Sequence, residues 1–399
     1  MQTIKPVLVY LDSCDYSALS KPQLTETEAQ HVATLKALKL SGKFLFVFSG
    51  AHISEMSPLD QKHSNAALLR TNLMVELCGR NTLISFDRLI KAELSRLVER
   101  SFQPINALNR DGEWFPDMGT LINPIDELDI AGKLQREMES YPLNRKMRRT
   151  VKAGTTKKSG EFRKDVERRF GQADYSELIH KIPMRPRDFK VLKNYVLGRS
   201  TRGEANVAFL ESLRDPSYMA QWFNHYHQQL GPIVEWVRRP AKQMMESCTV
   251  TIMGLREKLE SLPEVDRTEL NKVVTASSWE KLKTQGVVDI VNRLLKLLLP
   301  EASECNNAKD IEEYCPGIYI CINTFYDSLQ NSFTERPRRI KASDFVDMIH
   351  SLYTPYVSYF RADKYMCNII RPLVPKRFGT LVVASTEKLF AALESHEDR

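Results

Sequence analysis

The sequence predicts an α/β fold: a parallel sheet flanked by helices, interrupted by a large all-α insertion. Three observations carry this. Short apolar, β-branched runs alternate with helix-length segments over residues 1–100. The same alternation returns over 336–399, while 101–335 holds long helical patterns and almost no strand signal. Each end alone supplies too few strands for a stable sheet, so the two ends are expected to share one. The expected organisation is a discontinuous core, 1–100 with 336–399, around a helical insertion, 101–335.

The elements follow in order. "PVLVYLD" (6–12) is apolar on both faces, as a buried parallel strand requires. "LTETEAQHVATLKALKLSG" (24–42) reads as a helix. Thr25 and Glu28 form its capping box, Ala29, Val32 and Ala33 lie on its stripe, and Gly42 ends it. "KFLFVFSG" (43–50) is a second buried strand, and a short helix around "AHISEM" stops before Pro58. "NAALLRTNLMVELCG" (65–79) is helical, "TLIS" (82–85) is a weak strand, and "FDRLIKAELSRLVERS" is the next helix. Pro, Gly and Asn then mark a connector from 101 to about 130. Within the insertion the clearest helical patterns span 206–230, 269–299 and 318–333. "KASDFVDMIHSLYTPY" (341–356) reads as a helix with Ser343 as N-cap and Phe345, Val346, Ile349, Leu352 and Tyr353 as its apolar stripe. "YVSYF" (356–360) is a strand, "DKYMCNII" a helix, "TLVVAS" (380–385) a strand and "TEKLFAALES" the closing helix.

Acids fall where this topology places strand ends. Asp12 ends the first strand, Glu55 lies just past the second, and Asp363 follows the penultimate one. Asp344 and Asp347 lie on the helix leading into that strand. Ligands of open parallel sheets bind beyond the carboxyl ends of the strands. Each residue also has an ordinary reading. Asp12 and Asp363 can cap the helices after them, Asp344 and Asp347 lie opposite the apolar stripe as solvated surface, and His350, on the stripe's shoulder, can simply pack or hydrogen-bond. Capping alone does not require four acids at one edge of one sheet.

This ordered set resembles the PIN domain family of metal-dependent nucleases. The matching segments are "YLDSCDYSAL", "HISEM", "SDFVDMIH" and "FRAD", and they lie in both ends of the chain. The resemblance implies a parallel α/β/α fold in which Asp12, Glu55, Asp347 and Asp363 are catalytic and bind metal. Asp344 is a further metal ligand, and Ser13, Asp15 and His350 are auxiliaries. Arg361 and Ala362 stand where the family has a hydroxyl residue before its last acid, and the long insertion has no counterpart in its small toxin-type members. The implied cofactor is Mg²⁺ or Mn²⁺, and the implied substrate is RNA. A single-strand or flap DNA endonuclease is the second reading, a non-cleaving RNA-binding or assembly module the third. A toxin or defence effector would fit the first.

The residues alone support cation chemistry. Several carboxylates cannot remain ionised side by side unless cations neutralise them. Oxygen ligands with retained water suit Mg²⁺ or Mn²⁺. A haloacid-dehalogenase-like phosphatase needs a second Asp two residues after the first, whereas Asp15 is three after Asp12. No GxGxxG or GxxxxGK[ST] occurs, so the dinucleotide and P-loop readings lack support.

Charge is concentrated. Residues 145–169 hold eleven Lys or Arg and three Asp or Glu, a net of +8, against +7 for all 399 residues. A solvated basic surface is the ordinary reading. The functional one is phosphate contact, with Arg145, Lys146, Arg148, Arg149, Lys152, Lys157 and Lys158 joined by Arg361 from the core. Apolar residues are 42% and charged ones 27%, ordinary for a globular chain. There is no bilayer-length apolar stretch and no signal-peptide pattern. The seven cysteines form no CxxC pair. The chain is therefore expected to be cytoplasmic, thiol-reduced and free of membrane contact, with a protein partner or homo-oligomer left open.

Overall fold

A computed structural model of the chain describes residues 6–58, 61–110, 114, 145–155, 157, 163–164, 168, 184–196, 199–226, 277–331 and 341–397. The chain forms two compact units: Met1–Pro116 with Leu230–Arg399, and Asp117–Gln229. The first unit begins with β1 (Val7–Tyr10), α1 (Ser13–Leu19), α2 (Glu26–Leu40), β2 (Phe44–Val47), α3 (Gly50–Met56), α4 (Ser64–Cys78), β3 (Thr82–Leu83), α5 (Phe86–Glu99) and β4 (Leu108–Asn109). The second unit holds α6 (Arg145–Thr155), α7 (Pro186–Val196), α8 (Arg202–Leu213) and α9 (Pro216–Tyr226). The first unit resumes with α10 (Ser277–Leu298), α11 (Ala308–Tyr314), α12 (Pro316–Asn331), α13 (Ala342–Ser351), β5 (Tyr359–Arg361), α14 (Lys364–Leu373), β6 (Leu381–Val383) and α15 (Thr386–Glu397). Among the described residues no helix is long and apolar enough to cross a membrane.

The fold is mixed α/β, with a four-stranded parallel sheet in the order β2-β1-β5-β6. Val9 pairs with Tyr359 and Tyr10 with Phe360, so strands from opposite ends of the chain are neighbours at its centre. Alternation along the strands sends Tyr10, Val47, Phe360 and Val382 to one face and Val9, Phe46 and Tyr359 to the other. The Tyr10 face packs in one buried cluster with Leu89 of α5, Val291 of α10, Ile318 of α12 and Phe345 of α13. On the opposite face the Tyr359 hydroxyl donates to the Ala392 carbonyl of α15 at 3.2 Å. Helices therefore cover both faces, as a fully parallel sheet requires.

The sequence reading grouped 277–331 with the insertion, but α10, α11 and α12 lie in the same compact unit as the sheet. Their periodicity marks helices with an apolar face and does not say which surface that face meets. Three local expectations also shift. The N-cap of α13 is Lys341, not Ser343, and Asp344 closes the capping box by accepting from the Lys341 N–H at 2.8 Å. Residues 354–356 form a 3₁₀ turn that takes up the Tyr356 and Val357 N–H groups, so β5 starts at Tyr359 rather than at Tyr356. "TLIS" supplies only Thr82–Leu83, paired antiparallel with β4.

In the second unit Ser212 of α8 accepts from the Arg185 N–H at 3.1 Å and donates to Asp188 of α7 at 2.8 Å. Arg185 also pairs with Asp215 at 3.2 Å. The helical pattern over 206–230 breaks at Asp215, and Pro216 opens α9, where its missing N–H costs nothing.

One buried acid holds the late helices to the early part of the chain. Glu93 of α5 is fully buried and accepts from the Gly317 and Ile318 N–H groups at 2.7 and 2.8 Å, and from the Tyr356 hydroxyl. Its carboxylate thus caps α12 from a distant element. A Cβ at Gly317 would overlap the Leu352 carbonyl and the Glu93 carboxylate, which explains the glycine. Burial pushes the Glu93 carboxyl up to about 7, against the hydrogen bonds from Tyr356, Ile318 and Gly317. The unfolded side chain titrates near 4.3, so between about pH 4.3 and 7 the native state binds more protons than the unfolded chain. This contribution to stability is complete below that window and is lost as pH rises through it. Chemical denaturation of wild type and Glu93→Gln across pH 4–8 is expected to show the loss in wild type and not in the variant. Glu93→Ala strands two buried N–H donors and the partly buried Tyr356 hydroxyl, and is expected to cost about 3 kcal/mol or more throughout. Parallel pH profiles for wild type and Glu93→Gln would contradict this account.

Candidate functional site

Parallel register sets the site's position. With Tyr10 opposite Phe360, the chains leaving β1 and β5 run side by side past the same sheet edge, one to Asp12 and the other to Asp363. Each residue then caps a helix. Asp12 accepts from the Cys14 N–H at 2.8 Å, and Asp363 from the Met366 N–H at 2.7 Å. The ordinary capping reading therefore holds for both. It does not compete with a second role, because an N-cap residue faces the positive end of its helix and keeps its carboxylate at the mouth of the sheet.

Glu55 on α3 and Asp347 on α13 approach the same edge. Asp12, Asp347 and Arg361 line a common small pocket there. The Asp347 carboxyl is pushed well above its ordinary range by burial first, and then by the charges of Asp12, Glu55, Asp363 and Asp344. The structure thus brings all four principal acids named from the sequence within electrostatic reach of one another. Asp347 has no hydrogen-bond or ion-pair partner among the described residues. Asp344 is buried rather than solvated, and its carboxylate caps α13.

The neighbouring groups are differently supported. Burial pushes Glu55 up, but hydrogen bonds from His350 and Ser13 outweigh it and hold the carboxyl below its usual range. His350 Nε2 lies 3.2 Å from Glu55 Oε2. Asp15, second member of the Asp12 capping box, pairs with Arg361 at 3.0 Å. Burial raises its carboxyl to about 6 despite that guanidinium. Arg361 is buried, engaged by Asp15 and by the Ala362 carbonyl, and its Nε has no partner among the described residues. It is therefore a cation built into the floor of the site, not a surface contact for a polyanion. Among the described residues no three His, Cys, Asp or Glu side chains already stand together as a set of metal ligands.

The basic segment belongs to the second unit. Arg145, Lys146, Arg148, Arg149 and Lys152 lie on α6, which continues through Gly154. Lys146, Arg149, Lys157, Arg163, Lys164 and Arg168 are exposed. Lys158 lies outside the described residues.

Sequence reasoning missed the polar groups beneath the acids. The Tyr10 hydroxyl lies 2.5 Å from His350 Nδ1 and 2.8 Å from Ser49 Oγ. His52 Nε2 lies 2.9 Å from the Leu11 carbonyl oxygen. His52, three residues before Glu55 in "HISEM", was a visible signal; Tyr10, in an apolar strand, was not. Comparison with protein-family models, curated proteins and solved structures finds no match for this chain.

The repulsion on Asp347 has a measurable consequence. Its folded carboxyl titrates above its unfolded one, so the charged residue opposes folding at neutral pH, and that penalty fades as pH falls and the proton is retained. Asp347→Asn is expected to raise the melting temperature at pH 8, without divalent cations, by about 2–5 °C, and the advantage should shrink toward pH 4. A variant that melts below wild type at pH 8 would show that the acids do not repel.

Proposed function

We propose that this protein is a divalent-metal-dependent endonuclease with a PIN-like core, acting on phosphodiester bonds of RNA. The single observation that carries the reading is the convergence of Asp12, Glu55, Asp347 and Asp363 at one edge of a parallel sheet, where burial first and then the neighbouring acids push the Asp347 carboxyl up. A protein that keeps such repulsion needs an external cation to relieve it, and an all-oxygen donor set suits Mg²⁺ or Mn²⁺. Asp12, Glu55, Asp347 and Asp363 would hold the ion. Asp344, committed to its helix cap, would act on Asp347 through charge alone. Bound there, the ion supplies positive charge to the phosphate and to an attacking water.

The chain's own residues do the rest. The caps of α1 and α14 fix Asp12 and Asp363 on rigid strand ends, which limits their reorganisation. Ser13 and His350 hold Glu55 ionised and ready to ligate. Arg361 neutralises Asp15, so the site is not wholly anionic where a phosphate must enter. The exposed lysines and arginines of α6 and the residues after it supply sequence-independent affinity for the phosphate backbone. Hydrolysis breaks one P–O bond and adds water across it.

Incubation of the purified protein with labelled single-stranded RNA and DNA, with Mn²⁺ or with EDTA, tests this directly. Cleavage is expected to need the cation and to fall at least about a hundredfold in Asp12→Asn and in Asp347→Asn, roughly 2.7 kcal/mol of transition-state stabilisation. Cation-dependent cutting of DNA alone selects the second substrate. Binding without cutting selects the assembly-module reading, and EDTA-resistant cleavage overturns the metal dependence.

Lys146→Gln with Arg149→Gln is expected to raise KM several-fold and leave kcat little changed, because binding common to ground and transition states has been removed. The slope of log K against log salt should fall by about 0.7 for each single-strand phosphate that is no longer neutralised. An unchanged slope would mark α6 as solvated surface.

A further inference from the structure

Beneath the acids, His350, Tyr10 and Ser49 form a buried chain of side chains, and His52 joins it through the Ser49 backbone. His350 Nε2 meets Glu55 Oε2 at 3.2 Å, and His350 Nδ1 meets the Tyr10 hydroxyl at 2.5 Å. That hydroxyl meets Ser49 Oγ at 2.8 Å, and the Ser49 N–H donates to His52 Nδ1 at 3.2 Å. His52 Nε2 then donates to the Leu11 carbonyl at 2.9 Å. Tyr10, Ser49 and His52 are each at most 1% exposed, and His350 is 7% exposed.

Hydrogen-bond chemistry orders the chain. Glu55 is a carboxylate and only accepts, so His350 Nε2 carries a hydrogen. In the neutral ring Nδ1 is then an acceptor and takes the Tyr10 hydrogen. A phenol has a single hydrogen, and Tyr10 spends it on that nitrogen. Tyr10 in turn accepts from the Ser49 hydroxyl. His52, forced by burial down to about 3, is neutral, with its hydrogen on the nitrogen facing Leu11. The donors therefore diverge from Ser49: its hydroxyl begins a run through Tyr10 and His350 that ends on Glu55, and its N–H begins one through His52 that ends on the Leu11 carbonyl. The far end closes on a buried carbonyl, so no proton passes through the chain from one end to the other. It can orient, and it cannot relay.

What it orients joins three elements: β1 through Tyr10, α3 through Ser49, His52 and Glu55, and α13 through His350, one helical turn after Asp347. The Tyr10 ring is locked as well, stacked on Phe360 at 5.2 Å and on Tyr353 at 5.9 Å. We infer that Tyr10 and His350 are positioning residues for the candidate cation site: Tyr10 fixes the tautomer and rotation of His350, and His350 holds Glu55 at a set distance from Asp347. The consequence for metal and catalysis rests on the nuclease reading, whereas the hydrogen-bonded chain does not. Groups that orient metal ligands in this way change metal affinity by 10–100-fold when removed.

The full chain is tested with Mn²⁺ alone as probe. In the metal-free wild type at pH 8, long-range ¹⁵N–¹H correlation is expected to show both His350 and His52 as the Nε2–H tautomer. Tyr10→Phe keeps the stacked ring and removes the hydroxyl; His350 is then expected to lose its single tautomer, and Mn²⁺ affinity by electron paramagnetic resonance to fall about tenfold. His350→Ala should fall at least as far, and His350→Gln, whose amide can donate to Glu55, should recover most of the loss. Turnover should fall in Tyr10→Phe and His350→Ala with KM for RNA unchanged. A purely structural role predicts lowered melting temperatures with wild-type Mn²⁺ affinity, and that result overturns the inference, as does His350→Gln binding no better than His350→Ala. A wild type that binds no Mn²⁺ overturns the cation site instead, and the tautomers still decide the chain: a mixed or Nδ1–H His350 refutes it.

Discussion

Repulsion between carboxylates is the constraint that shapes this molecule. A parallel sheet whose central strands come from opposite ends of the chain brings Asp12 and Asp363 out at one edge. α3 and α13 add Glu55 and Asp347. Each acid except Asp347 has a counterweight: a backbone N–H and a helix N-terminus for Asp12 and Asp363, His350 for Glu55. Nearby, Arg361 does the same for Asp15. Compensating all but one leaves a localised negative site instead of an unstable region. Under the proposed function, a bound cation would relieve what the protein itself leaves uncompensated.

The rigidity of the surroundings follows from the same requirement. Like charges held close would drive their backbones apart unless the supporting elements were tied. Tyr10 performs that tie at the sheet centre, because its ring lies in the main core while its hydroxyl reaches His350 and Ser49. Glu93 performs a comparable one for the late helices, accepting from the start of α12 across 224 residues of sequence. Both are polar groups fully satisfied inside an apolar core, where an unsatisfied group would cost most.

How far the site was legible in the sequence depended on the range of each signal. That Asp12, Glu55, Asp347 and Asp363 come to one sheet edge was readable because strand ends and helix phase are written in adjacent residues. The capping box of Thr25 and Glu28 is likewise local, and it forms as the spacing indicates. Asp344 read as solvated surface because helix phase alone does not reveal what packs over the first turn. Arg361 on Asp15 and Tyr10 on His350 were not readable, since each depends on pairing across about 340 residues or more. The membership of α10 to α12 was hidden for a related reason. An amphipathic helix announces that it needs a partner surface, and topology decides which one it meets.

The central claim is that the four acids form one cation site. Mn²⁺ soaked into crystals of the metal-free protein tests it most directly, through anomalous scattering at the manganese edge. The account predicts an anomalous peak with ligand oxygens from Asp347 and at least two of Asp12, Glu55 and Asp363, absent in crystals of Asp347→Asn. Crystals that show no peak at this edge of the sheet, or manganese bound only elsewhere on the chain, would contradict it.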